Sequence, residues 1–285
     1  FKSPHDRVVA KKSWFFFDEA YVCLGADIYS SRFTIPPMSG EIPSSTPYLT
    51  TTVNQTLMRS DVTVSHNGSI EKLSKGAREL DNVEWVHQDN VGYVFPEGTT
   101  VNVLNQIQEG RWSDITDEKN ISDEVVGEDV FMLWLDHGQI AMDAAYQYIV
   151  VPNVTEKELD ETSRSYRDIE VLSNTSDIQA VKHSGLGICQ IACYKGGEVE
   201  LAPDIRLRLD SQGMVMVKME GQRIVELSVA DPSRKLSRAT ITLTGIYDSE
   251  GDDFVTISSK NENNTLVLVD LPRGVYAGKS VTVKL

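Results

Sequence analysis

Cysteine, histidine and long hydrophobic runs are scarce in this chain, and each shortage excludes a class of protein. Three cysteines in 285 residues are too few and too odd in number for a disulfide framework, so Cys23, Cys189 and Cys193 are expected to be buried free thiols. The five histidines match no spacing typical of a zinc site. Because no apolar run approaches the roughly 18 residues of a membrane helix, we expect a soluble chain with no membrane partner.

Positive charge is also scarce. Lys and Arg number 27 against 42 Asp and Glu, which gives a formal net charge of -15 and an isoelectric point near 4.8. Such a field opposes nonspecific attraction to nucleic acid or to anionic lipid, so neither is expected as a partner. A site for an anionic polysaccharide would need Lys or Arg side chains concentrated at one place, to overcome the negative charge of the rest of the chain. Most of the chain is therefore expected to be scaffold.

The sequence also lacks the motifs of common enzymes and the pattern of a signal peptide. No HExxH, GxSxG, Walker A or complete GxGxxG pattern occurs, so the sequence points to none of the usual metal, nucleophile or nucleotide sites. The chain opens on Phe1 without a basic segment followed by an apolar one, so it shows no signal peptide. We expect that a preceding segment was removed or that the chain is a piece of a longer protein.

Alternation of apolar and polar residues with period two runs through most of the chain and predicts an all-β protein. The length favours two domains, and beyond His183 short strands recur about every ten residues, the spacing of a small sandwich. We therefore predict a large antiparallel β-sandwich over residues 1–182, followed by a small C-terminal β-sandwich over residues 183–285. One helix signal is present, because Thr155 and Glu158 form a capping box that opens a short surface helix over 156–163.

Residues 11–17 are the best candidates for ligand binding. Lys11 and Lys12 lie beside Trp14, and an indole ring can stack on a sugar face while ammonium groups counter a carboxylate. The alternative is that the aromatic residues are simply core, because their density suits a strand buried on both faces. Alternation leaves a third interpretation, in which Trp14 and Phe16 lie on one face of the strand, Phe15 and Phe17 lie on the other, and one of the two pairs is exposed.

The same segment resembles the signature of the polysaccharide lyases that include chondroitin AC, chondroitin ABC, hyaluronate and xanthan lyases. The matching string is Lys11-Lys12-Ser13-Trp14-Phe15-Phe16-Phe17-Asp18, followed by Cys23-Leu24-Gly25-Ala26. In the family's order, the resemblance continues through residues 90–95 (NVGYVF), 136–138 (DHG), 146–153 (YQYIVVPN), 179–181 (QAV) and 228–232 (SVADP). It covers nearly the whole chain, and the context of Trp14 is most similar to the chondroitin lyases.

That resemblance implies an enzyme with an N-terminal helical toroid, a large central β-sandwich and a small C-terminal sandwich, of which this chain is the end of the central domain plus the C-terminal domain. It implies β-elimination on a uronate-containing polysaccharide such as chondroitin sulfate or hyaluronan. The family performs it with His, Tyr, Arg and Asn residues of the helical half. No position of this chain then inherits a catalytic role. Its partner is its own N-terminal catalytic half, and the chain alone is expected to be inactive.

Further expectations come from the resemblance. Trp14, with Lys11 and Lys12 beside it, is expected to contact the polysaccharide from the β side of the cleft. Asp6 lies near where the family has an acidic cation ligand, so a structural calcium ion is considered there, although Asp6 alone cannot hold it and the chemistry requires no cofactor. The implied location is secreted or periplasmic, in a bacterium.

Two functions remain open at this point. The first is the β part of a polysaccharide lyase, and the second is a non-enzymatic carbohydrate-binding β-sandwich module, for which an aromatic platform would suffice. Fold alone does not separate them. An independent module is expected to begin with a linker or a signal, whereas this chain begins a few residues before a strand, which favours the first function.

Overall fold

The computed structural model describes residues 1–3, 8–30, 48–162, 165–248, 254–261 and 263–285. Within these ranges the chain forms twenty strands and one α-helix, α1 (Glu156–Thr162). The strands are β1 (Val8–Phe16), β2 (Tyr21–Ser30), β3 (Thr50–Leu57), β4 (Thr63–His66), β5 (Ser69–Lys72), β6 (Gly76–Gln88), β7 (Val91–Gly110), β8 (Val126–Asp136), β9 (Ala144–Pro152), β10 (Ile169–Asn174), β11 (Ile178–His183), β12 (Ile188–Cys193), β13 (Gly197–Ala202), β14 (Ile205–Leu209), β15 (Gly213–Glu220), β16 (Arg223–Ala230), β17 (Arg238–Thr244), β18 (Val255–Asn261), β19 (Asn264–Asp270) and β20 (Val281–Lys284).

Nine strands form the first sheet, in the order β1-β2-β9-β7-β6-β4-β5, with β8 paired to β7 and β3 paired to β8. The sheet branches at β7 because the two halves of this long strand pair differently. Residues 91–94 pair with β9, whereas residues 102–110 pair with β8. Val103 of β7 lies opposite Leu133 of β8, and both side chains are fully buried. This part of the sheet therefore contributes one face to a core.

The remaining strands form a small sandwich of two antiparallel sheets. Their orders are β10-β11-β12-β15-β16-β20 and β13-β14-β17-β19-β18. Apolar residues from both sheets form one buried cluster. In β15 the alternation is regular, because Val215 and Val217 enter this core while Met214 and Met216 face away from it. The predicted all-β class, with antiparallel sandwiches, is confirmed.

The chain separates into two compact units. The first comprises Phe1–Val9, Asp18–Cys23 and Ile28–Arg164, and the second comprises Ala10–Phe17, Leu24–Asp27 and Ser165–Leu285. Two short segments from the start of the chain are thus grouped with the six- and five-stranded sheets. The domain boundary near His183 stays a prediction. Strand β10 ends before His183 and β11 ends at it, and both strands belong to the second unit.

Helix α1 begins as the capping box predicts. The Glu158 amide donates to Thr155 Oγ1 at 3.2 Å, and the Thr155 amide donates to Glu158 Oε2 at 2.9 Å. The Thr155 amide and the Thr155 hydroxyl both donate to the Glu158 carboxylate, and these two hydrogen bonds hold the pKa of Glu158 below its ordinary value. The helix is more than the surface connection that was expected, because Leu159 is fully buried. It packs on Gly92, where an added Cβ would lie 2.6 Å from Leu159 Cδ1.

We predict that Gly92→Ala lowers the free energy of unfolding by about 1–3 kcal/mol, the usual cost of overpacking a filled site. The new methyl group would overlap the buried Leu159 side chain. Urea unfolding followed by fluorescence measures the change. Gly110→Ala is the matched control, since no heavy atom lies within 4 Å of its added Cβ. We expect the control to stay within about 0.5 kcal/mol of the parent chain, and equal effects of the two substitutions would contradict the packing argument.

Candidate functional site

Strand β1 presents two aromatic side chains to solvent. Trp14 is 51% exposed and Phe16 is 65% exposed, whereas Phe15 between them is 2% exposed. Alternation along an extended strand accounts for the difference. The interpretation of a strand buried on both faces is therefore wrong. Alternation left open which pair is exposed, and the structure exposes Trp14 and Phe16. Contiguous exposed apolar surface on a folded chain commonly marks a binding site.

The segment Ala10–Phe17 is held in the second unit by a hydrogen-bond network centred on Tyr194. The Tyr194 hydroxyl lies 2.8 Å from Ser13 Oγ, 2.9 Å from Lys12 O and 3.0 Å from Gln179 Oε1. A phenol carries one proton and accepts through its lone pairs, so it donates to one carbonyl at a time and can accept from the Ser13 hydroxyl. Burial raises the pKa of Tyr194, so the proton stays on the phenol at neutral pH.

Two glutamines extend this network. Gln179, which is fully buried, donates from Nε2 to Asn174 Oδ1 at 2.7 Å, and Asn174 Nδ2 donates to Gly25 O at 3.1 Å. Gln190 Nε2 donates to Phe16 O at 2.7 Å. Backbone carbonyls of both early segments of the second unit are thus paired with side chains.

An apolar cleft of about 430 Å³ lies beside this strand, within the range of about 300–1,000 Å³ that is usual for small-ligand sites. One wall is β1, which contributes Lys12, Trp14 and Phe16. The opposite wall contributes Met214 at the start of β15 and the turn that follows β16. All of these residues belong to the second unit. The cleft therefore places the exposed aromatic pair of β1 next to the outer face of the six-stranded sheet.

The turn in the second wall is fixed by Asp231, which is 3% exposed. Its carboxylate accepts backbone hydrogen bonds from Ser233 at 2.9 Å, Lys235 at 2.8 Å and Leu236 at 2.7 Å. Burial alone would raise the pKa of Asp231, but these hydrogen bonds outweigh burial and hold the pKa below its ordinary value. Gln212 Nε2 also donates to Ser233 Oγ at 2.6 Å. This wall is preformed, and the Asp231 charge is directed into its own turn.

Three lysines lie at or near the cleft. Lys12 lines it, and burial lowers the pKa of Lys12. The Lys11 ammonium lies 4.9 Å from the centroid of the Tyr194 ring, which is a cation–π contact. Lys195, next to Tyr194 in the sequence, pairs with Asp177 at 2.7 Å. Because Lys195 is paired and Lys11 lies on the Tyr194 ring, Lys12 is the one basic residue among those that line the cleft.

The sequence-predicted site residues have different outcomes. Trp14 and Lys12 line one cleft, Lys11 lies on the adjacent Tyr194 ring, and Asp6 lies outside the described residues. Polysaccharide binding by these residues stays a prediction. Sequence reasoning missed the opposite wall. One signal was available there, because Met214 and Met216 alternate with valines, which gives β15 apolar residues on both faces.

The described residues offer no metal centre and no reactive thiol. The three cysteines are buried and free, as expected, and burial raises the pKa of Cys23 and of Cys189 to about 11. Both thiols are therefore protonated at neutral pH and poorly nucleophilic. Within the same ranges, no three His, Cys, Asp or Glu side chains are grouped to hold a metal ion. The calcium ion considered at Asp6 stays a prediction. No described helix has the length and apolar character that crossing a bilayer requires.

Two family models match the chain. Residues 1–163 match the super-sandwich domain of polysaccharide lyase family 8, and residues 170–240 match the C-terminal β-sandwich domain of the same family. The first match alone covers more than half of the 285 residues. The resemblance inferred from the sequence is therefore confirmed.

Individual relatives agree with the family models. Chondroitinase-AC from Pedobacter heparinus is 31% identical over 283 residues, which span 98% of this chain and 35% of that protein. Hyaluronate lyase from Thermasporomyces composti is 30% identical over 240 residues, which span 81% of this chain and 28% of that protein. A solved structure of a chondroitinase AC lyase, determined as enzyme–oligosaccharide complexes, matches with a TM-score of 0.77 at 29% identity and covers 99% of this chain and 37% of that one. This chain spans about a third of the length of the relatives it matches.

We predict that Tyr194→Phe destabilises the second unit by about 1–3 kcal/mol, because it removes the hydroxyl group that hydrogen-bonds three partly or fully buried groups. The groups affected are Ser13 Oγ, Lys12 O and Gln179 Oε1. The unfolding midpoint in urea measures the change. Tyr276→Phe is the control, since Tyr276 is 67% exposed, and it is expected to change stability by less than about 0.5 kcal/mol. If Tyr194→Phe were as neutral as the control, the network would not be stabilising.

The Asp231 turn predicts a pH dependence of stability. Because the folded-state pKa of Asp231 is depressed, its carboxylate stabilises the folded chain above the ordinary pKa of about 3.9, and this contribution is lost as the pH falls through the lower folded-state pKa. Asp231→Asn should therefore be less stable than the parent chain at pH 7, with a difference that shrinks in acid. Melting temperatures of both chains from pH 7 down to pH 3 measure it. A difference that is independent of pH would contradict the assignment.

Proposed function

The chain belongs to polysaccharide lyase family 8, and from this premise we propose that it is the C-terminal β part of a glycosaminoglycan lyase resembling chondroitinase-AC. The observation that carries the proposal is the match to that enzyme over 98% of the chain, across both family domains. Chondroitin sulfate and hyaluronan are the proposed substrates. Chondroitinase-AC and hyaluronate lyase, the two relatives described above, support this choice.

The proposed reaction is β-elimination. Neutralisation of the uronate carboxylate acidifies the C5–H bond, and a general base then removes that proton. The electron pair of the C5–H bond forms the C4–C5 double bond as the C4–O4 bond breaks, and O4 receives a proton from a general acid. The products are a sugar chain ending in an unsaturated uronate and a released chain with a free hydroxyl. We assign the base, the acid and the carboxylate-binding groups to an N-terminal helical half, because no motif of this sequence supplies them.

The proposed contribution of this chain is structural support and part of the polysaccharide contact. Trp14 would stack on a sugar ring, with Lys11 and Lys12 countering the uronate charge. The exposure of Trp14, the position of Lys12 in the same cleft and the contact of Lys11 with the adjacent Tyr194 ring support this assignment. A secreted or periplasmic location in a bacterium and a structural calcium ion near Asp6 belong to the same proposal.

A non-enzymatic carbohydrate-binding module is the alternative function. The exposed Trp14–Phe16 pair would serve such a module equally well. Membership of a lyase family favours the first function, and the two differ in whether the complete protein cleaves the polysaccharide that it binds.

Ultraviolet absorbance of the unsaturated uronate tests the proposal. The chain 1–285 alone is expected to give no rise in absorbance with chondroitin sulfate or hyaluronan, whereas the complete natural protein that contains it is expected to give a steady rise. A heat-denatured sample of the complete protein is the control. Turnover by the chain alone would show that it holds its own catalytic groups. Binding without turnover by the complete protein would favour the carbohydrate-binding module.

A further inference from the structure

Charge is divided unevenly between the two units. The first unit contains 25 Asp and Glu residues against 11 Lys and Arg, whereas the second contains 17 against 16. Nearly all of the formal net charge of -15 therefore belongs to the first unit. Two copies of such a chain repel each other on average, but an acidic surface of one copy and a basic surface of another can attract.

The most acidic exposed surface of the first unit is the end of the β7–β8 hairpin, residues 109–128, which we call the acidic tip. Gly110 pairs with Val126, so residues 111–125 form the connection at its end. The acidic tip contains seven Asp and Glu residues against two Lys and Arg. Among the described residues, none of these nine side chains forms an ion pair. Their charge is therefore available to a partner.

The acidic tip also exposes large apolar side chains. Trp112 is 59% exposed and Ile115 is 73% exposed. The two residues belong to one turn, in which the Ile115 amide donates to Trp112 O at 3.2 Å. Exposed apolar side chains that are grouped in this way, with charged residues around them, are typical of a protein-binding surface.

The second unit exposes a surface of opposite charge at residues 273–279, between β19 and β20, which we call the basic loop. Val275 is 88% exposed and Tyr276 is 67% exposed, and Arg273 and Lys279 flank them. Backbone hydrogen bonds hold this conformation, because the Tyr276 amide donates to Arg273 O at 3.3 Å and the Lys279 amide donates to Tyr276 O at 3.0 Å. Val275 is therefore displayed by an ordered turn.

A further arginine lies beside the basic loop. An added Cβ at Gly278 would lie 3.3 Å from Arg234 Cγ, so the Arg234 side chain runs along the loop. Of the described acidic residues near the loop, Asp231 accepts backbone hydrogen bonds within its own turn. Asp270 accepts from Arg238 at 2.7 Å and also attracts Arg273. The basic residues here outnumber the acidic ones, so the loop keeps an excess of positive charge.

We propose that the acidic tip of one copy of this chain docks on the basic loop of a second copy. Trp112 and Ile115 pack against Val275 and Tyr276, and the surrounding carboxylates pair with Arg273, Lys279 and Arg234. The contact is heterologous, because each copy offers one surface of each kind. Each surface has far fewer than the roughly 20–30 residues a side of a stable interface, so the expected dissociation constant is about 10–200 µM at low salt. The inference does not depend on the proposed function.

Sedimentation velocity of the chain 1–285 tests the inference over about 5–300 µM. In about 20 mM NaCl the mean sedimentation coefficient is expected to rise with concentration. In about 500 mM NaCl the rise is expected to be strongly reduced, because salt screens the charge pairs around the apolar contact.

Charge reversal identifies the two surfaces. Variant A carries Arg273→Glu and Lys279→Glu, and variant B carries Asp117→Lys and Glu118→Lys. Each variant alone brings like charges together, so its self-association is expected to weaken at least about tenfold. An equimolar mixture of A and B is expected to associate again, because the reversed loop of A then meets the reversed tip of B. This recovery would not occur if the substitutions had simply damaged the fold.

Matched controls separate these surfaces from the rest of the chain. Lys72→Glu with Lys157→Glu reverses two exposed lysines outside both surfaces, and it is expected to leave association within about twofold of the parent chain. Val275→Ser is expected to weaken association about tenfold, whereas Met142→Ser, at a residue that is 61% exposed elsewhere, is expected to leave it unchanged. The unfolding midpoint of every variant is measured alongside.

Three results would overturn the inference. They are a sedimentation coefficient that does not rise with concentration at low salt, association that both charge-reversal variants retain, and a mixture of A and B that stays as dissociated as its components. A chain that stays monomeric while variant A loses binding to anionic phospholipid vesicles or to chondroitin sulfate would assign the basic loop to a lipid or a polysaccharide instead. The absorbance assay on the complete protein is unaffected by any of these outcomes, so the proposed function stands or fails separately.

Discussion

One partly buried hydroxyl group, that of Tyr194, makes the hydrogen bonds on which the candidate site depends. It lies between Ser13, the Lys12 carbonyl and the fully buried Gln179. Burying any one of these groups without a hydrogen-bond partner would lower the free energy of unfolding by about 1–3 kcal/mol. Any displacement of β1 from the second unit would therefore break several hydrogen bonds at once. Because strand alternation then fixes which side chains face outward, the exposure of Trp14 follows from the position of Tyr194.

Local patterns in the sequence predicted most of the fold but only half of the site. Period-two alternation identified the all-β class, and the Thr155–Glu158 capping box located the one described α-helix. These signals succeed because they depend on residues a few positions apart. The cleft joins residues that are far apart in the chain, as the contact between Ser13 and Tyr194 across 181 positions illustrates. Such pairing is decided by tertiary packing. The apolar residues on both faces of β15 could mark a second surface, but the pattern alone could not show that this surface lies beside β1.

The net charge of the chain gives a misleading picture of the site. A net charge of -15 opposes the binding of an anionic ligand. Nevertheless, Lys11 contacts the Tyr194 ring, the Lys12 carbonyl bonds the Tyr194 hydroxyl, and Lys195 follows Tyr194 in the sequence. Elsewhere in the second unit, basic side chains form ion pairs on the surface, such as Arg238 with Asp270 at 2.7 Å. Screening limits the reach of such surface charges to about 10 Å. The electrostatics of the cleft are therefore set by its own few residues rather than by the mean field.

In the proposed lyase, an aromatic cleft that contacts the polymer would have a clear physical role. Binding energy from sugar units outside the reaction centre can hold the chain in place and offset the entropy cost of positioning the scissile bond. Two sites on one polymer also raise the effective concentration at each, provided that the chain can reach both. A preformed site suits this role because little ordering is needed when the ligand arrives. The hydrogen bonds around Tyr194 and Asp231 hold both walls of the cleft in place.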